Sequence, residues 1–524
     1  MKSNFHRMNV PKIRGGRLFK LKGQIVSAAP GALLASVSAL SLSIGAVYAD
    51  TIKTVLTSEV TLGAASDHTI TASGGVEISD TSEAAVEIDN DYAKTFTNSG
   101  TISVTGDAST GTGVYVNGDL LAGGSIINEG TIIVDLEYDT PEAIGIYVDG
   151  DVAGLISNTG TIDVTSIATD EDATAYGIYV SDGLTKTGAI LNSGTITALA
   201  DTTDDATATA YGIYVNDETA GLIVNSGTID ARAQSTGYAS EVYGIRLADE
   251  LTKTGGIVNL GTIKAEATGS YTGSAWGIYV DDETAGLIVN SGTIDVKAVS
   301  TDDYAYAWGI LADSELTESG RILNSGTIKV QAITTDESTA TAYGIQVDGE
   351  LNGVVKNTGT IDVLATAQGT YYAYAYGIQS DDDMSGSIAN SGTITVEANA
   401  NDTSASAYGI YVDGDLLDGG SIKNSGTITA NAKVTTDDNA YAGGFWINGD
   451  VAGMLLNSGT ITANGLSTDA SSATASGFYL DGDVSGSVVN SGTMTLTAQA
   501  DAGDANAAGI FIDDELSRYV VNST

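Results

Sequence analysis

The sequence predicts an all-β fold: a right-handed parallel β-helix, or solenoid, of about 13 coils with about 33 residues each. The first of three observations behind this prediction is a repeated block that reads Asn-Ser-Gly-Thr-Ile or a close variant. The block begins at Asn98, Asn128, Asn158, Asn192, Asn225, Asn259, Asn290, Asn324, Asn357, Asn390, Asn424, Asn457 and Asn490. Successive blocks lie 30 to 34 residues apart, and a fixed period of this length is typical of stacked repeat units.

The second observation is strand-like alternation within each repeat. In the segment Ile-Asp-Val-Lys-Ala at 294–298, every second residue is apolar, which is the pattern of a half-buried strand. A Gly-Ile-Tyr-Val block and a short segment before each asparagine complete three strands per repeat. We expect the apolar residues two before and four after each asparagine to fill the core. Two coils of about 17 residues per repeat are the alternative.

The third observation is the spacing between blocks. From the glycine of Gly-Ile-Tyr-Val to the next asparagine the count is 13 or 15 residues, never 14. An even insertion keeps every side chain on its own face of a strand, whereas an odd one reverses the faces. The other half of the repeat varies from 15 to 20 residues, and its slack lies in loops rich in Thr, Asp, Ser and Ala, such as 169–174. Each repeat is therefore predicted to have one variable corner.

The chain divides into three predicted regions. Residues 1–49 read as a signal peptide, with a basic start, a small-residue apolar stretch and a Val-Tyr-Ala cleavage site that ends at Ala49. Residues 50–97 are expected to form an N-terminal cap and a partial repeat. Residues 98–524 are the β-helix repeats, which end in mid-repeat. We expect an exported protein at the cell surface or in the medium of a Gram-negative bacterium.

Composition restricts the possible functions. The chain has 66 acidic and 21 basic side chains, a formal net charge of −45, and no cysteine. Such a polyanion is not expected to bind nucleic acid, because neutralising phosphate needs clustered cations. His68 is the one histidine after the leader, which leaves little scope for histidine-dependent catalysis or zinc ligation. We therefore predict no catalytic residues and a protein that is not an enzyme.

Repetition also predicts columns of like residues along the solenoid. The asparagines are expected to stack and to hydrogen-bond through their amides. An outward aromatic column follows the isoleucine of Gly-Ile-Tyr-Val, broken at Arg246, Leu311, Gln346 and Gln379; it comprises Tyr115, Tyr147, Tyr179, Tyr214, Tyr279, Tyr411, Trp446, Tyr479 and Phe511. We interpret it as structural, with a sugar-stacking surface as the alternative. By strict alternation, the preceding aromatics, such as Tyr176 and Trp276, are predicted to point into the core.

The corner after each Gly-Ile-Tyr-Val strand is acidic. The candidate calcium ligands at this corner are Asp149, Asp151, Asp413, Asp415, Asp481 and Asp483. Carboxylates are the ligands that Ca²⁺ prefers, although no EF-hand loop is present. The alternative is a solvated corner whose charge keeps the protein soluble, without any cofactor.

The basic leader followed by Gly-Ile-Tyr-Val and Asn-Ser-Gly-Thr-Ile repeats resembles the passenger region of Gram-negative autotransporters, the type V secreted surface proteins. The resemblance covers roughly residues 50–524 and lies in repeat style rather than in a catalytic motif. It implies a β-helical stalk displayed at the cell surface, often an adhesin or a biofilm factor. The C-terminal barrel of that class is missing from this chain, so we expect either a fragment or export through another translocator.

These observations favour a non-catalytic secreted or cell-surface β-solenoid, an adhesin or a structural protein of biofilms, which displays its loops on an acidic rod. Its expected partners are surface glycans, other cells or further copies of itself. The alternatives are a β-helical carbohydrate-active enzyme and a surface-layer or ice-binding solenoid. An enzyme would need a unique cluster of Asp, Arg or Lys that interrupts the repeat on one face.

Overall fold

The computed structural model describes residues 51–80, 83–203, 205–336, 338–369, 371–436, 438–468 and 471–523. The predicted signal peptide lies outside these residues. The described chain is a parallel β-solenoid of about 13 turns with about 33 residues per turn, and it contains no helices. The predicted all-β solenoid fold is thus confirmed. No helix that could span a membrane occurs among the residues described.

The first of three sheets, sheet 1, is built from short strands that run up to the asparagine of each repeat. Its 16 described strands are Thr51–Ile52, His68–Ile70, Thr95–Asn98, Ser125–Asn128, Leu155–Asn158, Ala189–Asn192, Leu222–Asn225, Gly256–Asn259, Leu287–Asn290, Arg321–Asn324, Val354–Asn357, Ser387–Asn390, Ser421–Asn424, Met454–Asn457, Ser487–Asn490 and Val520–Asn522. Each strand pairs in parallel with the equivalent strand one turn away, so the asparagines form a continuous column.

Sheet 2 begins three residues after the asparagine and carries the strictest alternation. Its 15 described strands are Val55–Leu56, Gly75–Ser79, Thr101–Gly106, Thr131–Tyr138, Thr161–Ala168, Thr195–Thr202, Thr228–Ser235, Thr262–Gly269, Thr293–Ser300, Thr327–Thr334, Thr360–Ala367, Thr393–Ala400, Thr427–Val434, Thr460–Ser467 and Thr493–Ala500. In Thr293–Ser300 every second residue from Ile294 is buried, as the period-2 pattern predicts.

Sheet 3 carries the Gly-Ile-Tyr-Val block. Its 15 described strands are Val60–Gly63, Ala84–Asp89, Thr110–Asn117, Glu142–Val148, Ala173–Val180, Ala208–Val215, Ala239–Leu247, Thr272–Val280, Ala305–Ala312, Ala340–Val347, Ala373–Ser380, Ala405–Val412, Ala440–Ile447, Ala473–Leu480 and Ala505–Ile512. Its isoleucines and valines face the interior, where they join residues of the other two sheets in one continuous core, as Ile178 and Val180 do.

One repeat makes one turn. Asn128 pairs with Asn158, and Ile294 pairs with Ile328, each one full repeat along the chain. The alternative of two coils per repeat is therefore wrong. Residues 51–97, predicted to be a cap and a partial repeat, contribute strands to the same three sheets, in shorter turns that pair Thr51 with Thr69 and Thr69 with Thr97.

The asparagine column forms an unbroken hydrogen-bonded ladder. From Asn98 to Asn490, each amide Nδ2 donates to Oδ1 of the next asparagine at 2.8–2.9 Å, and the last bond reaches Asn522. In most turns the second amide proton is directed at a backbone carbonyl, as from Asn128 to Thr161 at 3.0 Å. The predicted stacking of asparagines is confirmed, and it satisfies amides that are buried from water.

The glycine two residues after each asparagine lets the turns approach one another. A Cβ added at Gly160 would collide with the carbonyl oxygen of Gly130, and the same collision recurs at Gly194 with Gly160. The backbones of successive turns thus pass too closely for any side chain at this corner. The asparagine and the glycine together fix where sheet 1 ends and sheet 2 begins.

The two-residue length difference between repeats lies at the corner between sheets 3 and 1. Leu184 forms a parallel bridge with Thr219 across this corner. Four residues separate Leu184 from the strand that begins at Ala189, whereas two separate Thr219 from the strand that begins at Leu222. Because the insertion is even, Ile190 and Ile223 remain paired and buried.

We predict that Asn390→Ala lowers the free energy of unfolding by roughly 2–5 kcal/mol, because it leaves the Asn357 amide and the Asn424 oxygen without partners, at about 1–3 kcal/mol for each buried group. Chemical denaturation followed by circular dichroism measures the loss. The matched control is Ser391→Ala, an exposed neighbour at the same corner, which should change stability little. Equal effects of the two variants would show that the ladder does not hold the turns together.

Candidate functional site

The corner between sheets 2 and 3, the loop corner, varies in length. Two residues (270–271) link Gly269 to Thr272, whereas five (203–207) link Thr202 to Ala208. The loop predicted at 169–174 is shorter in the structure, since Ala173 is already a buried strand residue. Length variation at this corner leaves both flanking strands in register, as the sequence spacing predicts.

Exposed tyrosines line this corner in the middle of the solenoid. The side chains are 39–52 % exposed, and they belong to Tyr238, Tyr271, Tyr304, Tyr371 and Tyr372. They fall within five consecutive loops, 236–238, 270–271, 301–304, 335–339 and 368–372, of which only 335–339 has none. We call this set the loop tyrosines.

The loops hold the tyrosines in a fixed arrangement. The rings of Tyr238 and Tyr271 stack with centroids 5.8 Å apart. The backbone N–H of Tyr271 donates to the carbonyl of Tyr238 at 2.9 Å, and the N–H of Gly273 donates to the carbonyl of Tyr304 at 3.0 Å. Adjacent loops are therefore tied to one another, and the tyrosines present a contact surface that spans several turns.

Sequence reasoning missed the loop tyrosines because it treated all of these loops alike, as rich in Thr, Asp, Ser and Ala. The signal was present: Tyr238 and Tyr271 both lie just after a sheet 2 strand, outside the alternating pattern. Averaging composition over all loops concealed a feature that is confined to a few turns.

The outward aromatic column lies on the outer face of sheet 3, as predicted. Tyr147 stacks on Tyr115 at 5.1 Å and on Tyr179 at 4.9 Å between ring centroids. Tyr176, however, stacks on Tyr179 at 4.9 Å, so both columns share the outer face. They form a hydrophobic cluster that is separate from the core and that we call the aromatic band.

The prediction that the column of Tyr176 points into the core was therefore wrong. The cause is Gly177, where a Cβ would collide with the core side chain of Ile196. Gly177 and Ile178 both face the interior, so strict alternation is broken at the glycine. A side chain in place of Gly177 would not fit, and Tyr176 is displaced to the outer face.

Ring stacking makes the interior of the aromatic band a poor surface for sugars. The Trp276 ring lies between Tyr243, at 4.5 Å and 3°, and Trp308, at 4.8 Å and 2°. Both faces of this ring are covered, and a sugar stacks on a free ring face. The structural interpretation of the band is favoured, because each stacked pair stabilises the strands beneath it.

Arg246, which interrupts the outward column, is enclosed by the same rings. Its guanidinium carbon lies 4.8 Å from the centroid of Tyr243 and 5.3 Å from that of Tyr279. The guanidinium also forms an ion pair with Asp281 at 3.2 Å and donates a hydrogen bond to the Tyr211 hydroxyl at 3.4 Å. The cation is held by ring faces, one hydroxyl and one carboxylate, so it stabilises the band rather than facing solvent as a ligand group.

The acidic corner uses its carboxylates mainly to tie turns together. Asp151 Oδ1 accepts the backbone N–H of Gly183 at 3.0 Å, and Asp415 Oδ1 accepts that of Asp450 at 2.7 Å. Asp483 accepts the N–H of Glu515 at 3.0 Å in the same way. These three predicted calcium candidates thus cap backbone donors of the next turn, and charge-assisted hydrogen bonds of this kind are comparatively strong.

The other three candidates lie at the start of the same corner. Asp149 accepts the Tyr147 hydroxyl, and Asp413 accepts the Tyr411 hydroxyl, both at 2.8 Å. Asp481 is exposed. In the described part of the chain, no group of three or more His, Cys, Asp or Glu side chains is placed to hold a metal ion. Calcium binding gains no support from this arrangement and stays a prediction.

Further along this corner, carboxyl groups share protons. The Tyr279 hydroxyl lies 2.7 Å from both Asp281 and Asp313. A hydroxyl donates one proton, so both contacts are hydrogen bonds only when one carboxyl is itself protonated. Burial raises the pKa of Asp313 to about 7, with a further increase from the charge of Asp348 and a decrease from the Tyr279 hydrogen bond.

Asp381 behaves similarly one turn beyond Asp348. Burial raises its pKa to about 8, as does a hydrogen bond with Asp348, while the amides of Gln379 and Gln346 lower it. The Gln346 amide donates to Asp381 at 2.7 Å. Asp313 and Asp381 therefore keep their protons to a higher pH than an ordinary aspartate does.

We predict that these acids stabilise the fold at low pH. Their folded pKa values lie above the value of about 3.9 for an unfolded aspartate, so the stability they contribute is fully present below about pH 4 and is lost as pH rises through 7 to 8. The melting temperature should rise from pH 8 to pH 5, and Asp381→Asn should flatten that dependence. The control Asp170→Asn, in an exposed loop, should leave the slope unchanged; parallel curves for all three proteins would contradict the assignment.

Comparison with known proteins gives a likeness to one family over part of the chain. The model of the BigA third pectate lyase-like domain matches residues 223–415, more than a third of the sequence. No curated protein and no solved structure matches the chain. The matched turns include the loop tyrosines and much of the aromatic band, and the match agrees with the β-helical architecture that the resemblance to autotransporter passengers implies.

Proposed function

We propose that this chain is a non-catalytic β-solenoid displayed at the surface of a Gram-negative bacterium, where its loop corner attaches the cell to a partner surface. The observation that carries the proposal is the set of loop tyrosines on nearly consecutive turns, at the corner between sheets 2 and 3, where the described loops vary in length without disturbing the core. Solenoids commonly place such insertions on their binding face.

Tyrosine is well suited to such a surface. It supplies a large, rigid contact area and a hydroxyl at a low cost in side-chain entropy, and it is enriched in binding sites. Unlike the rings of the aromatic band, the loop tyrosines are exposed. Among the residues that the structure describes, Tyr271 stacks on Tyr238 alone, which leaves ring surface available for a sugar or a protein.

Attachment through this corner would be multivalent. A loop of two to five residues offers little contact area, so each loop alone binds weakly. Turns spaced by about 4.8 Å present several such loops at once, and simultaneous engagement raises avidity strongly. The acidic character of the chain favours neutral glycans or proteins over polyanionic surfaces.

The test is attachment of cells that display the chain with Tyr238, Tyr271, Tyr304 and Tyr371 changed to Ser. We expect attachment to host-cell or glycan-coated surfaces to fall at least several-fold while circular dichroism and surface density stay unchanged. The matched control is Tyr138→Ser, an exposed tyrosine near the same corner but apart from the cluster. If cells with the fourfold variant attached as well as cells with the wild-type chain, the loops would be connections between strands and would have no part in attachment.

A carbohydrate-active enzyme is the second candidate, favoured by the pectate lyase-like description of the matched family. A groove of about 520 Å³ within the matched segment is lined by Lys253, Glu318 and Arg321, so it brings two cations and a carboxylate together on an acidic chain. Lyase action on a uronate polymer would remove a proton next to the carboxylate and expel the glycosidic oxygen, which creates an ultraviolet-absorbing double bond.

Incubating the purified chain with polygalacturonate, with and without Ca²⁺, distinguishes the two candidates. We expect no increase in ultraviolet absorbance and no change in polymer length. Turnover that disappears in the Lys253→Ala, Arg321→Ala double variant would establish the enzyme and overturn the non-catalytic proposal.

A further inference from the structure

The outer face of sheet 2 carries an ordered pattern of charge over five consecutive strands, from Thr228–Ser235 to Thr360–Ala367. Each of these strands begins with a threonine. The outward residue two positions after that threonine belongs to a first column, which contains Asp230, Lys264, Asp295, Lys329 and Asp362. The outward residue four positions after it belongs to a second column, which contains Arg232, Glu266, Lys297, Gln331 and Leu364. We call these two columns the checkerboard.

Charge alternates in both directions across the checkerboard. Along the first column the sign reverses at every turn, and along each of the first three strands the two columns carry opposite signs. The contacts are close: Lys264 and Lys297 both reach Glu266, at 2.9 and 3.1 Å, and Lys329 reaches Asp295 at 3.7 Å. Arg232 pairs with Asp230 within its strand at 2.5 Å. Every charged side chain of the first three strands therefore has neighbours of opposite sign.

The checkerboard is neutral on a chain that is otherwise strongly acidic. Its four cations balance its four anions, whereas the whole chain has a formal net charge of −45. The next outward column along the same strands adds no charge; it contains Gln234, Thr268, Val299, Ile333 and Thr366. This face is thus a place where two copies can approach without strong repulsion.

Stability of the single chain does not account for this arrangement. The paired side chains remain 19–47 % exposed, and exposed ion pairs contribute little to stability. Elsewhere the turns are stacked by uncharged columns, as by the buried asparagines. A column in which positive and negative side chains alternate can be complementary to the same surface on a second copy, whereas a column of one charge cannot.

We propose that the checkerboard is a docking surface for a second copy of this chain. A twofold axis parallel to the direction of turn stacking places the first column of one copy against the second column of the other. Asp230 then faces Arg232 of the second copy, Lys264 faces its Glu266, and Asp295 faces its Lys297. Each of these pairs occurs twice, so six interchain ion pairs form without any like-charge contact.

The area is sufficient for a reversible contact. Five strands at ~4.8 Å by eight residues at ~3.3 Å cover ~600 Å² per copy, or ~1,200 Å² in total, at the lower end of specific interfaces. Such a contact suits chains held at high density on a surface. The proposal is independent of the loop corner and of its function.

Sedimentation equilibrium of the purified chain tests the proposal by charge complementation. The acidic variant carries Lys264→Glu and Lys297→Glu; the basic variant carries Glu266→Lys and Asp295→Lys. We expect the wild-type chain to form dimers at up to about 0.1 mM, each variant alone to be monomeric, and the mixture of the two to form heterodimers. Raising the salt from ~0.15 to ~1 M should weaken the association at least tenfold, because the screening length falls from ~8 to ~3 Å.

The control is Lys186→Glu with Lys253→Glu, which adds the same charge as the acidic variant but at exposed positions of the corner between sheets 3 and 1. This variant should dimerise like the wild-type chain, and circular dichroism should show that all variants fold. A monomeric wild-type chain would overturn the proposal. So would stronger self-association of the basic variant, because that result would mean that net charge alone governs contact between copies.

Discussion

The fold depends on the contact between one turn and the next at the asparagine and glycine corner. Successive strands lie about 4.8 Å apart, so the same backbone atoms must meet at every turn. At this corner a buried amide donates to the amide below, and a glycine leaves room for the carbonyl of its neighbour, as Gly160 does for Gly130. The corner fixes the phase of sheets 1 and 2, and that phase decides which side chains enter the core.

The short distance between turns stabilises columns of some side chains and destabilises columns of others. Amides and rings gain from an identical neighbour, because Asn128 can donate to Asn158 and Trp276 can stack on Trp308. A column of identical charged side chains is destabilised, because like charges repel at short range. Three arrangements relieve that repulsion here: backbone N–H groups that cap Asp151 and its equivalents, shared protons near Asp313 and Asp381, and alternation of sign on the outer face of sheet 2.

Features governed by stacking could be predicted from the sequence. The period of about 33 residues and the even insertions predicted one turn per repeat, the buried isoleucines and the asparagine column, and the structure confirms all three. Features that depend on local departures from alternation could not be predicted. Strict parity placed Tyr176 in the core, whereas Gly177 moves it outside. Proton sharing at Asp313 depends on burial, which the sequence does not state.

The same reasoning indicates where function is to be sought in a protein of this kind. Inward residues and the asparagine corner cannot vary, because each is constrained by the turns on either side. A change of residue from one turn to the next points to function only at positions where the same residue could have stacked in every turn. The loop corner and the outer face of sheet 2 are such places: tyrosines occur in a few loops and not in the others, and Asp295 alternates with Lys264 and Lys329 where neighbouring turns carry threonine, as at Thr197 and Thr395. Since the core requires neither departure, interactions outside the single chain give the better account of both.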